Sequence, residues 1–156
     1  MEPDVTTTRS RSVIIDAPIE KVYDFVTTPK NWPRCHPGSK GITGPQDESV
    51  PLGTSFIEHA QLADDLPKLD LEWIVTVEEA PKRWVVSLGD SPWGMESIEI
   101  FYEFEPHDGG TRFTRSTKFV GTPEARGETN ADLTVRVDEA DDAYLDVVRD
   151  TIQNGG

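Results

Sequence analysis

With a single cysteine, Cys35, among 156 residues, this chain can form no internal disulfide, and one lone thiol is the usage of a reducing compartment. Positive charge is scarce: 15 Lys and Arg stand against 29 Asp and Glu, a formal net charge of -14. So acidic a chain is repelled by a phosphate backbone or an anionic membrane surface, and nucleic acid is not expected as a partner. Histidine is scarcer still. His36, His59 and His107 are far apart, with no two at metal-sharing spacing, and no metal site is expected. No apolar run approaches the roughly 20 residues of a membrane span, and Met1-Glu2-Pro3-Asp4 lacks the basic-then-apolar profile of a secretion signal. These absences predict a cytoplasmic protein with no membrane insertion. A phosphate-cradling glycine loop and a dinucleotide fingerprint are both missing, so no cofactor is expected.

What is present is alternation. Leu69, Leu71, Trp73, Val75 and Val77 alternate with polar residues except at Ile74, and Trp84, Val86 and Leu88 resume the pattern after a turn containing Pro81. Beyond a second break at residues 89–94, Ile98, Ile100, Tyr102 and Phe104 share one face. Asp108-Gly109-Gly110 suits a tight hairpin. The last strand sets Phe113, Arg115, Thr117 and Phe119 on one side, which brings a guanidinium onto the apolar face. Upstream, Val13 and Ile15 read as a first strand and Ile19, Val22, Tyr23 and Val26 as a helix. Asp16 is its expected cap and Pro18 suits its first turn. Thr28-Pro29 ends that helix, and one further short turn holds Trp32.

Residues 36–53 are rich in Gly, Pro and Ser, with room for an edge strand near 40–43. Residues 56–62 form a strand whose facing stays open: one register carries Phe56, Glu58 and Ala60 inward, the other Ile57 and His59. Leu133, Val137, Ala140, Tyr144 and Val148 recur at helical steps, with Asn130 a candidate cap, although Leu133, Val135 and Val137 also fit a strand. The order is one strand, two short helices, about six strands and a long helix. It predicts an α+β domain over residues 9–154, after a mobile polar segment 1–8, with a curved antiparallel sheet of about seven strands wrapped around the C-terminal helix. Small residues in mid-helix, such as Ala140, leave space for a cavity.

Several local runs resemble the helix-grip fold of the START and Bet v 1-like (SRPBCC) superfamily, in its polyketide cyclase/dehydrase-like branch. They are Val13-Ile14-Ile15-Asp16-Ala17-Pro18 leading to Val22-Tyr23-Asp24-Phe25, Pro29-Lys30-Asn31-Trp32-Pro33, Trp73 to Val77, Glu79-Ala80-Pro81-Lys82-Arg83-Trp84, and Tyr102 through Thr111. After the Trp-Pro turn, where the family often has an aromatic, this chain has Cys35-His36. The resemblance implies a small hydrophobic ligand and no particular reaction.

Trp73, Trp84 and Tyr102 line the expected concave face, where they serve as core or as the wall of an aromatic or lipid-like guest. Trp93 and Met95 sit on a loop expected to rim the open end with residues 63–68 and 120–130. Thr117 and Tyr144 complete the candidate ligand-binding set. Arg115 must pair or reach water, through a ligand oxygen or an acid such as Asp141 or Glu58. Three functions fit: a binder of an apolar molecule; a cofactor-free polyketide cyclase or dehydratase, with Arg115, Tyr102 and His59 as candidate catalytic residues; or a protein-interaction module with a filled core. A homodimer is compatible with each.

Overall fold

The computed structural model describes residues 5–88, 97–121 and 131–155. Strand β1 (Val5–Ile15) leads into helix α1 (Ile19–Val26), a 3-10 turn (Pro29–Asn31) and helix α2 (Trp32–Cys35). Strands β2 (Ser39–Thr43), β3 (Ser55–Ala60), β4 (Leu69–Glu79), β5 (Arg83–Leu88), β6 (Ser97–His107) and β7 (Gly110–Gly121) follow, and helix α3 (Ala131–Gln153) closes the chain. All seven strands form one antiparallel sheet in the order β1-β7-β6-β5-β4-β3-β2. Its concave face holds α3 through Tyr144, Leu145, Val148 and Ile152, all buried. This is the expected helix-grip arrangement.

Alternation decides the facing. In β6, Ile98, Ile100, Tyr102 and Phe104 are buried while Glu103 and Glu105 are exposed. The turn between β6 and β7 is the two-residue hairpin the sequence announces, with Asp108 and Gly109 at φ of 46° and 85°. In β4 the alternation ends at a bulge between Val75 and Val77. The extra residue reverses the phase, so that Glu78 rather than Val77 lies opposite Trp84, and its Oε1 accepts the Leu52 amide at 3.1 Å.

Three local expectations are corrected. β1 starts at Val5, inside the 1–8 segment for which the sequence predicts mobility, because this threonine-rich stretch continues the ladder to β7, from Val5 opposite Gly121 to Thr8 opposite Lys118. Asp16 does not cap α1: Pro18 occupies the cap position with no side-chain bond, and the Asp16 amide instead donates to Gln153 Oε1 at 2.8 Å. The segment at 133–137 is helical, since α3 begins at Ala131; the candidate cap Asn130 lies outside the described residues.

The junction of β1 with α1 is tied on two sides. The Asp16–Gln153 bond joins it to the end of α3, and Thr111 Oγ1 donates to Ala17 O at 2.8 Å. Gly110 passes so close beneath that a Cβ there would sit 2.5 Å from Ile15 O.

Candidate functional site

An unbroken set of aromatic rings fills the space under the sheet from α1 to mid-sheet. Trp32 contacts Phe56, Trp84 and Tyr102, Tyr102 stacks on Phe113, and Phe113 meets both Phe104 and Tyr144. Indole nitrogens are satisfied within the core: Trp32 Nε1 donates to Val26 O and Trp84 Nε1 to Val50 O, each at 3.0 Å. Trp84 and Tyr102 are 0% and 1% exposed. Burial of this kind stabilises by roughly 1.5–3 kcal/mol per large apolar side chain, as an upper figure.

Beside the rings lies a charged network. Arg115, on β7, donates from Nη1 to Asp141 Oδ1 on α3 at 3.0 Å, with the two side chains 12% and 18% exposed. Its guanidinium carbon stands 5.3 Å from the Tyr144 ring centroid and 5.8 Å from that of Tyr102. His36, at the α2–β2 turn, reaches the same Asp141 Oδ1 with Nε2 at 3.2 Å, while its Nδ1 accepts the Gly38 amide at 2.9 Å. A nitrogen that accepts a backbone N–H carries no proton, so Nε2 is the protonated atom and donates to Asp141. Gly38 suits this turn because a Cβ there would press to 3.3 Å on the imidazole.

The electrostatics follow from the packing. Burial pushes Asp141 up, yet Arg115 and His36 overcome it and hold its carboxyl below the usual range. Burial pushes Tyr102 up to about 12 against the opposing Arg115, and pushes Tyr144 well above the ordinary phenol value. Both phenols therefore stay protonated at neutral pH and present O–H groups inside the domain. Glu58 is the other acid here. In the observed register Phe56 lies opposite Trp73 and Glu58 opposite Leu71, so Glu58 points inward and accepts Trp73 Nε1 at 3.1 Å.

An open groove of about 370 Å³ borders this network, lined by Pro37, Leu62, Ala63, Asp65, Arg136, Glu139 and Ala140. Pro37 and Ala140 of its lining adjoin His36 and Asp141 in the chain, while the Arg115 and Asp141 side chains themselves line a separate, smaller recess. Arg136 Nη1 and Asp65 Oδ1, 2.9 Å apart, join α3 to the 61–66 loop at the groove's mouth. The smaller recess, of only about 10 Å³, is lined by Arg9, Arg11, Arg115, Thr117, Asp138, Asp141 and Leu145.

The candidate residues therefore divide. Arg115, Tyr102 and Tyr144 come together around Asp141, and Thr117 lines the small recess. Trp73 holds Glu58. Trp84 packs within the core, and neither tryptophan lines the groove, so the open space lies toward α2 and the 61–66 loop rather than across the middle of the sheet. His59 is corrected as a catalytic candidate: it faces outward, where its Nδ1 bonds Asp70 Oδ1 at 2.8 Å and its Nε2 bonds Thr43 Oγ1 at 2.7 Å. Trp93, Met95 and most of the 120–130 rim lie outside the described residues. His36 is the member that sequence reasoning missed as a site residue, and its signal was the Cys35-His36 departure after the Trp-Pro turn. Among the described residues no group of three or more His, Cys, Asp or Glu is arranged to hold a metal ion, and no helix is long and apolar enough to cross a membrane.

Residues 6–146 match the model of a family described as polyketide cyclase/dehydrase and lipid transport. The chain belongs to that family. One relative is penitrem biosynthesis cluster 1 protein I of Penicillium ochrochloron, 33% identical over 147 residues, spanning 88% of this chain and 90% of the relative. Among solved structures, truncated norcoclaurine synthase from Thalictrum flavum superposes with a TM-score of 0.72 at 13% identity, covering 100% of this chain and 99% of that one. The di-domain ARO/CYC protein BexL of the BE-7585A biosynthetic pathway gives 0.72 at 20% identity over 93% of this chain, which spans 49% of BexL. At such identities these structures speak for the fold alone. They bear out the helix-grip fold, and the family match bears out the polyketide cyclase/dehydrase resemblance.

Proposed function

We propose that this polyketide cyclase/dehydrase family member binds a small, mostly apolar molecule, which enters through the 370 Å³ groove and meets the neighbouring Arg115–Asp141–His36 network. The carrying observation is a groove with apolar residues Pro37, Leu62, Ala63 and Ala140 in its lining, two of which are chain neighbours of the part-buried, pre-paired His36 and Asp141, a combination common in ligand sites. The groups present suit recognition. Tyr102 and Tyr144 offer phenolic donors to a carbonyl or hydroxyl oxygen, and Arg115 is fixed in place by Asp141.

A cyclase or dehydratase is the second reading, favoured by the convergence of titratable groups and supported by relatives whose names place them in biosynthetic pathways. His36 has both ring nitrogens engaged, and Asp141 is held ionised as a weak base. Acid–base work by this pair would first require breaking one of those bonds. The arrangement is thus better suited to holding a ligand than to moving its protons.

Native mass spectrometry of freshly purified protein tests the reading. A retained small molecule is expected on the wild type and absent from Ala140→Phe, whose ring occupies the groove. Identical spectra without an adduct on either protein contradict it.

A further inference from the structure

The turn at residues 36–38 is held by a bond that only one charge state of histidine can make. His36 Nδ1 accepts the Gly38 amide at 2.9 Å, and a ring nitrogen accepts only while it carries no proton. Protonation makes Nδ1 a second donor, which then faces the Gly38 N–H and forfeits the bond. The other nitrogen is spoken for in both states: Nε2 donates to Asp141 Oδ1 at 3.2 Å, so the carboxylate anchors the ring and leaves Nδ1 as the atom that changes. His36 is 18% exposed, and protons reach it without unfolding.

What the turn supports gives that bond a consequence. Pro37 lines the groove, and Gly38 O accepts the Gln61 amide at 2.8 Å, directly before Leu62 and Ala63 of the same lining. Gly38 is also closely packed: a Cβ on it would lie 3.3 Å from the imidazole and 3.4 Å from Leu62 Cδ1, so a displaced Gly38 pushes on Leu62. Asp141 and Tyr144 face the imidazole from α3, Arg115 on β7 holds the same Asp141, Cys35 precedes it on α2, and Glu58 on β3 acts on Tyr144 from behind. The groove adds Glu139 and the Arg136–Asp65 pair. Burial keeps the Tyr144 phenol and the Cys35 thiol protonated, and Arg115 and His36 keep Asp141 ionised, which leaves His36 as the group of this cluster that changes charge in the range where histidines titrate.

Resting on the binding function proposed above, we infer that His36 is a pH switch for the groove: neutral, it locks the 36–38 turn and through it Pro37 and Leu62; protonated, it releases the Gly38 amide, and the groove loses its fixed apolar wall and its hold on the ligand.

The test titrates the neutral dye Nile red into the wild type, His36→Gln and His59→Asn between about pH 8 and about pH 5.5, and follows the Gly38 amide of the dye-free wild type over the same range by proton–nitrogen correlation NMR. Dye affinity of the wild type is expected to fall roughly fivefold on acidification, the worth of one lost hydrogen bond, with the Gly38 resonance moving at the same midpoint. His36→Gln, whatever its absolute affinity, is expected to give a flat profile, and His59→Asn, which alters an outward histidine, to keep the wild-type one. A wild-type affinity indifferent to pH, a dependence that survives in His36→Gln or vanishes in His59→Asn, or a Gly38 amide that stays still overturns the switch while the binding function stands. No dye binding at any pH overturns the binding function and its control together, even where Gly38 titrates.

Discussion

Arg115 and Asp141 carry most of the residue-scale consequences, because each neutralises the other where water is scarce. Removing one partner strands the other's charge, so Arg115→Ala is expected to lose about 3–5 kcal/mol in urea unfolding. The Arg115→Met, Asp141→Asn double variant should recover part of that loss, since no buried net charge remains. Additive losses contradict the pairing. The pH dependence follows from the lowered Asp141 pKa. A carboxyl depressed in the folded state stabilises above its unfolded value, about 3.9, and loses that contribution as pH falls through the folded value. The stability gap between the wild type and Asp141→Asn should accordingly be full at pH 6 and shrink steadily below about pH 4. A gap that widens on acidification refutes it. Arg115 was legible from strand phase alone. His36 was not, because a proline- and glycine-rich turn has no periodicity to point a side chain.

Elements were legible where alternation was clean and obscure where both faces were apolar or both polar. β6 and β7 follow their sequence pattern throughout. In β3, Phe56 and Ile57 both offered an inward face, and only pairing with β4, which sets Phe56 opposite Trp73, selects the register that turns Glu58 inward and His59 outward. β1 reaches Val5 because a polar edge strand announces itself by ladder pairing, which sequence hides, rather than by apolar alternation. The β1–β7 crossing makes a prediction at this scale. Gly110→Ala drives a Cβ against Ile15 O, and both groups belong to backbone held in the ladder. A loss of about 1–3 kcal/mol in thermal or urea unfolding is expected, with wild-type stability the contrary result.

At the scale of the whole molecule, the order of strands and helices was enough to expect a sheet gripping α3, and the expectation holds. The position of the empty space was not, because how far these aromatic rings interdigitate depends on their mutual angles and not on which face each one shares. Packing closes the middle of the sheet and leaves the groove by α2, the 61–66 loop and Ala140. The central claim is that this groove admits an apolar molecule, and titration of the neutral dye Nile red into the wild type and Ala140→Phe tests it most directly. Ala140 lines the groove but is itself only 6% exposed, so urea unfolding of Ala140→Phe is measured alongside, with a loss of no more than about 1–3 kcal/mol expected. Saturable binding of one dye per chain, abolished by Ala140→Phe, is the predicted result; no saturable binding, or binding indifferent to the substitution, would contradict it.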